Sequence, residues 1–394
     1  MSTYQIIGLV FAVVGIMTLL AMFLDKRRTN SLDLAQMPQT EIMVWVSRLM
    51  IGGLFLYSGY VKANDYIGFA YKLEEYFYVF SGDLPALKGF FMFWVPLAEP
   101  MAWFISVFEI ALGVAIILGY RMPLTTWLTL IMMVFFTFLT GYSSVTGSVT
   151  DCGCFGDALK LEPWESFVKD IILTGMLIPV FLVRKSIIPI PSQRIAGLIV
   201  LVVFLLSGAY GYYCHENLPL VDYRPYKVGK DLRECTTVFG PDGYPKCKDW
   251  PFLDEENTII DIYTLRAAND SLRLAGKPYK IEARDPFVGK VLMMITNKVE
   301  DAPASAIQAS GVLARELADS GIYIMGATST GPSTMETLIP KYDLPYDFAF
   351  MDETVIKTII RSHPGYLLMK DGVVIKKWHH NNQPTAADIK ALAQ

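Results

Sequence analysis

Six long apolar blocks constrain this chain more than any other feature, because each approaches the roughly 20 residues a helix needs to cross a bilayer. They run Tyr4–Leu24, Ile42–Val61, Pro100–Gly119, Pro123–Tyr142, Ser166–Val183 and Ile195–Tyr213. Charged residues make up 18% of the chain; about a quarter is usual in soluble proteins. Apolar residues crowd before Tyr213, and beyond it short apolar runs alternate with polar ones. Such a break marks a domain boundary. The expected fold class is a membrane all-α bundle of about six spans, followed by a C-terminal α/β domain. The lipid bilayer is then an obligatory partner. A net charge of −4 with no basic face argues against nucleic acid.

Loop charges give an orientation. Lys26, Arg27, Arg28, Arg121, Arg184, Lys185 and Arg194 fall in loops on one face, which is cytoplasmic by the positive-inside rule. The N-terminus, the loops Ala63–Glu99 and Ser143–Glu165, and everything after Cys214 then lie outside. The expectation is a bacterial inner membrane protein with a periplasmic tail. The first block reads as a retained helix, since its charges follow the apolar run and no small-residue cleavage site is visible.

All five cysteines fall on the outer side of this topology, where disulfides persist. Cys152 and Cys154 flank one glycine in Asp151-Cys-Gly-Cys-Phe-Gly-Asp157. A disulfide there closes a tight, constrained ring. Strained disulfides are readily reduced, which suits a catalytic pair. The plainer alternative is small residues packing a loop onto the bundle. No neighbouring histidine supplies a further ligand, so no metal is assigned. Cys235 and Cys247 bracket a Pro-Asp-Gly turn, and a structural disulfide is expected. Cys214, at the outer end of the sixth block, fits either a relay thiol or a buried cysteine outside the chemistry.

Charges within apolar blocks are costly and usually partnered. Arg48 is expected to meet Glu109, and Lys62 to meet Glu99. Asp170 fits a proton acceptor for thiol chemistry or, as the plainer and favoured reading, a carboxylate that pairs with Lys169 or reaches interfacial water.

In the tail, Lys290–Ile295 predicts a buried strand, Ala302–Ser320 an amphipathic helix and Ile322–Ala327 a second strand. Ser333–Leu338 predicts a short helix, Phe348–Met351 a strand and Glu353–Arg361 a helix. Gly365–Lys370 and Val373–Trp378 form a hairpin across Asp371-Gly372, and Thr385–Leu392 closes as a helix. This order resembles a thioredoxin-like domain with an inserted strand and helix. The resemblance implies a cis-proline at Pro364. It fails where a redox-active thioredoxin carries Cys-x-x-Cys: here the segment reads Thr296-Asn-Lys-Val-Glu-Asp-Ala302. Without a thiolate this domain cannot exchange disulfides by itself.

Ser47-Arg48-Leu49, Leu56-Tyr-Ser-Gly-Tyr-Val-Lys62, Glu109 with Gly113, and Cys-Gly-Cys-Phe-Gly together resemble the DoxX/MauE membrane family over roughly residues 40–185. The cysteine block favours the MauE branch. The resemblance implies oxidation, quinone-coupled steps or maturation of disulfide-rich periplasmic enzymes. The domain plan is an N-terminal helix and cytoplasmic linker at 1–40, a bundle at 41–190 and a sixth helix at 191–218. A cysteine-containing linker follows at 219–285, then the thioredoxin-like domain at 286–394. Two functions follow: a thiol-redox protein passing electrons between a periplasmic dithiol and a membrane carrier such as a quinone, and a non-catalytic adaptor whose tail binds an envelope protein.

Overall fold

Apolar sequence and helix-terminating residues together decide where the first half of the chain turns. The computed structural model describes residues 3–29, 33–149, 153–159, 161–232 and 289–393. It divides into two units, Met1–Cys214 and His215–Gln394. Helices α1 (Thr3–Thr29), α2 (Pro38–Asn64), α3 (Tyr66–Asp83), α4 (Lys88–Trp94), α5 (Ala98–Leu118), α6 (Met122–Thr146), α7 (Pro163–Leu182) and α8 (Gln193–Asn217) occupy the first unit, α8 running a few residues past its end. α5 stops at Gly119, whose φ of 73° is the left-handed cap only glycine adopts cheaply. α2, α6 and α7 each begin with proline in the first turn, where its missing N–H costs nothing.

Among the described residues, five helical stretches are long and apolar enough to cross a membrane: Gly8–Thr29, Pro38–Asn64, Pro85–Leu118, Met122–Thr146 and Gln193–Asn217. Five of the six expected blocks are among them. The block beginning at Ser166 does form a helix, α7, but Glu165, Lys169 and Asp170 fall within its 20 residues. One correction concerns Ala63–Glu99, expected as a loop. Most of it is helical, in α3 and α4. Phe69, Leu73, Tyr76 and Phe80 are buried along one face of α3, with Lys72, Glu74 and Glu75 between them. The charges interrupt the apolar run, so a search for continuous blocks passes over a helix whose period is evident.

α2 and α5 pack at glycines. A Cβ on Gly113 would lie 2.7 Å from the Gly52 carbonyl, and a Cβ on Gly52 would lie 2.7 Å from the Gly113 carbonyl. Backbones this close are characteristic of membrane helix pairs, where packing rather than water expulsion drives association. Gly113→Val should therefore push the helices apart and cost at least about 1–3 kcal/mol. Thermal unfolding of the full chain in detergent reads this; a midpoint equal to that of the unaltered protein would show that the contact is dispensable.

The second unit is a mixed five-stranded sheet. Its strands are β1 (Lys290–Thr296), β2 (Tyr323–Thr328), β3 (Asp347–Phe350), β4 (Gly365–Lys370) and β5 (Val373–His379), in spatial order β3-β2-β1-β4-β5. β1 pairs in parallel with β2, and β2 with β3; β4 runs antiparallel to both β1 and β5. Helices α9 (Ala304–Glu316), α10 (Pro332–Tyr342), α11 (Glu353–Ile359) and α12 (Ala386–Ala393) complete it. β1 is central and covered on both faces. Val291, Met293 and Ile295 join one apolar cluster and Leu292 and Met294 another, hence an unbroken apolar run rather than an alternating one. Asp371 and Gly372 both have positive φ, 48° and 78°, as a tight hairpin turn requires. The His363–Pro364 peptide is cis. Residues assigned from sequence to a linker also take part. The Gly229 amide donates to the Val374 carbonyl at 2.8 Å, and the Leu232 amide to Gly372 at 2.9 Å, lining the edge of β5.

Candidate functional site

α2 carries Ser58 and Lys62 one helical turn apart, so both side chains project from the same face. Across from them α5 carries Glu109. The Lys62 Nζ donates to Glu109 Oε2 at 2.7 Å and to Ser58 Oγ at 2.7 Å. The pair is buried, with side-chain exposures of 1% and 5%. The Phe136 and Phe69 rings flank the ammonium at 4.5 and 5.4 Å from their centroids, an arrangement that helps hold a desolvated cation. Ser58 Oγ donates in turn to the Cys154 carbonyl at 2.8 Å. The buried ion pair is thus connected to the cysteine-bearing loop between α6 and α7.

That loop is seated on the helices. Cys154 and Phe155 are buried with Leu161, against Leu54 of α2. The Phe155 ring meets Tyr57 at 5.9 Å and the Lys169 ammonium at 5.1 Å. Gly153, with φ of 66°, lies so close to α3 that an added Cβ would be 3.1 Å from Lys72 Cγ. A left-handed, side-chain-free residue is what this path demands. Lys169 also pairs with Asp170 at 2.7 Å, and Thr140 Oγ1 donates to Asp170 at 3.1 Å. Asp170 is held by these two groups next to the Phe155 contact. Cys152, Cys235 and Cys247 lie outside the described residues. Cys214 is buried on α8, one turn beyond Tyr210, whose hydroxyl donates to Asn64 of α2 at 2.9 Å.

The charge partners differ from the expected ones. Lys62, not Arg48, holds Glu109. Arg48 lies opposite the far end of α5, donating through Nε to the Ile116 carbonyl at 2.8 Å and through Nη2 to the Ile117 carbonyl at 2.7 Å. Its guanidinium covers the Trp45 ring at 4.1 Å. The Gly52–Gly113 contact sets this register and leaves Arg48 about 11 Å along α5 from Glu109, at 1.5 Å per residue. Arg48 therefore caps the carbonyl end of a helix, a favourable place for a cation. Glu99 stands exposed in the first turn of α5. Ser58 was not singled out from sequence, though its four-residue spacing from Lys62 was the available signal.

Residues 40–183 match the family model described as methylamine utilisation protein MauE. No curated protein and no solved structure matches the chain. The MauE-like segment spans α2 through α7, and so contains Ser58, Lys62, Glu109, the Cys-Gly-Cys-Phe-Gly loop and Asp170. With the five apolar stretches, it indicates a multi-pass membrane protein.

The second unit has polar clusters of its own. At the end of β1, the Asn297 amide donates to His363 Nδ1 at 3.1 Å, and Asn297 Nδ2 to Glu353 at 3.1 Å. Nδ1 is thereby the acceptor nitrogen, and the ring proton sits on Nε2, which is buried without a hydrogen-bond partner among the described residues. Burial, then Arg361, Lys357 and His380, push the His363 pKa down to about 4. Elsewhere Asp222 pairs with Arg224 at 2.8 Å and with Lys377 at 2.7 Å. Burial works to raise the Asp222 pKa, but these cations outweigh it and hold the carboxyl well below its ordinary range.

Proposed function

We propose that the chain is a membrane thiol-redox protein in which Cys152 and Cys154 cycle between dithiol and disulfide at the outer face of the MauE-like bundle. The observation that carries this reading is the seating of Cys154. It is buried on the apolar helices, with its carbonyl bound by Ser58, so the loop that carries the cysteine pair is anchored to the bundle. Reducing the disulfide takes two electrons and two protons; a quinol supplies both and leaves as quinone, and the reverse direction oxidises a dithiol. Lys169 and Asp170, beside Phe155 on α7, carry that proton traffic. Cys214 is the third thiol in this scheme, and Cys235 with Cys247 forms a structural disulfide in the periplasmic tail.

The second unit reads as a thioredoxin-like domain. Its support is the parallel β1-α-β2 unit joined to an antiparallel β4–β5 hairpin. Because β1 leads into Thr296-Asn297-Lys298, it serves as a docking domain for an envelope substrate, not as a thiol donor. That same lack of cysteine favours the second reading, an adaptor with no chemistry of its own.

Equilibrating the full chain in detergent with glutathione buffers, then trapping with acid, separates the two. The redox reading expects a Cys152–Cys154 bond whose fraction follows the buffer ratio. If these sulfurs form no bond with each other and no mixed disulfide with glutathione, the adaptor reading replaces it.

A further inference from the structure

An ammonium can only donate, and this fixes the direction of an entire hydrogen-bond chain. Lys62 Nζ gives one hydrogen to Glu109 Oε2 and another to Ser58 Oγ. Having accepted there, the Ser58 hydroxyl has one proton to give, and it points to the Cys154 carbonyl at 2.8 Å. The order Glu109, Lys62, Ser58, Cys154 therefore runs one way. Remove the ammonium and the hydroxyl loses the donor that polarises it, and the carbonyl four residues earlier on its own helix competes for its proton, as serine in helices commonly allows. Every member is buried, so water is a poor substitute at each link. The chain ends on the main chain of a cysteine, in a loop that also packs through Phe155 and Gly153.

We infer that Lys62, Glu109 and Ser58 are positioning residues for Cys154: the ion pair polarises Ser58, and Ser58 anchors the Cys154 backbone against α2. The inference rests on reading Cys154 as a reactive thiol, and it names what controls that thiol's access and geometry. Local opening of the loop must break the Ser58 bond, so losing the bond raises the open population and with it the rate at which a reagent finds the sulfur.

The test uses the full chain in detergent with Cys152→Ser, and follows N-ethylmaleimide labelling of Cys154 and Cys214 by mass spectrometry. Cys214 is equally buried but lies outside the network, so it reports loosening of the unit as a whole. Two variants cut the chain at different links: Ser58→Ala, and the double variant Lys62→Met/Glu109→Leu, which removes both charges and leaves neither unpaired. Each is expected to accelerate Cys154 labelling about tenfold while Cys214 is unchanged, the size of effect that one hydrogen bond to a carbonyl commonly has. Ser58→Thr, which keeps the hydroxyl, is expected to restore the slow rate. Equal acceleration at both cysteines, or unchanged Cys154 labelling in either folded variant, overturns the inference. An unaltered protein that never forms the disulfide would count against the redox reading alone, because the labelling comparison does not depend on it.

Discussion

Glu109→Ala is expected to destabilise the membrane-spanning unit by about 3–5 kcal/mol, the cost of leaving one member of a buried pair without its partner. The Lys62 ammonium would keep only Ser58 and the two aromatic faces, in a site with almost no exposure. Coulomb attraction that offsets desolvation while both charges are present vanishes, and the desolvation cost stays. The double variant Lys62→Met/Glu109→Leu should recover most of the loss, since a neutral, well-filled site needs no compensation. Unfolding of the full chain by a denaturing detergent, followed by circular dichroism, measures both. A single variant within about 1 kcal/mol of the unaltered protein would mean that the pair is solvated, at variance with its burial.

Acidification from pH 6.5 to pH 4 is expected to cost the C-terminal unit about 3 kcal/mol through His363 alone. Its pKa falls from an ordinary 6.5 to about 4 in the fold. Across that window the unfolded chain binds more protons than the folded one, so stability declines as pH falls; above pH 6.5 the contribution is complete. The geometry gives the cause. Nδ1 accepts from the Asn297 amide, and protonating it turns that bond into two donors facing each other. Arg361 and Lys357 oppose a new charge, while Glu353 favours it. His379, pushed down to about 3 by burial and by the neighbouring His380, His215 and His363, acts in the same direction. Hydrogen exchange of β1 amides in the full chain reads the effect. Protection independent of pH between 6.5 and 4, once intrinsic rates are removed, would contradict it. His363→Asn, whose side chain can accept the same bond without titrating, should make the dependence shallower.

Much of this architecture was legible in the residues. Membrane crossing follows from block length and composition, because a bilayer leaves a backbone no other way to satisfy itself than a helix or a closed barrel. The element order of the tail follows from period, glycine placement and the Asp371-Gly372 turn, each a local steric rule. The MauE resemblance was carried by short motifs, chiefly Cys-Gly-Cys-Phe-Gly, and the match over residues 40–183 coincides with it. Sequence also showed that Lys62, Glu109 and Arg48 must find partners, since charge in an apolar block demands one.

Which partners they find, only the tertiary structure decided. Helix spacing along the chain leaves the axial register of α2 against α5 open, and a slip of two turns exchanges one pairing for another. The backbone contact between Gly52 and Gly113 sets that register, bringing Lys62 to Glu109 and sending Arg48 to the carbonyl end of α5. The link from Ser58 to Cys154 joins residues 96 positions apart in the chain, a separation at which composition and periodicity are silent. Local sequence fixes what each segment is, through short-range sterics and solvation; the packing of backbones against one another decides which buried groups meet.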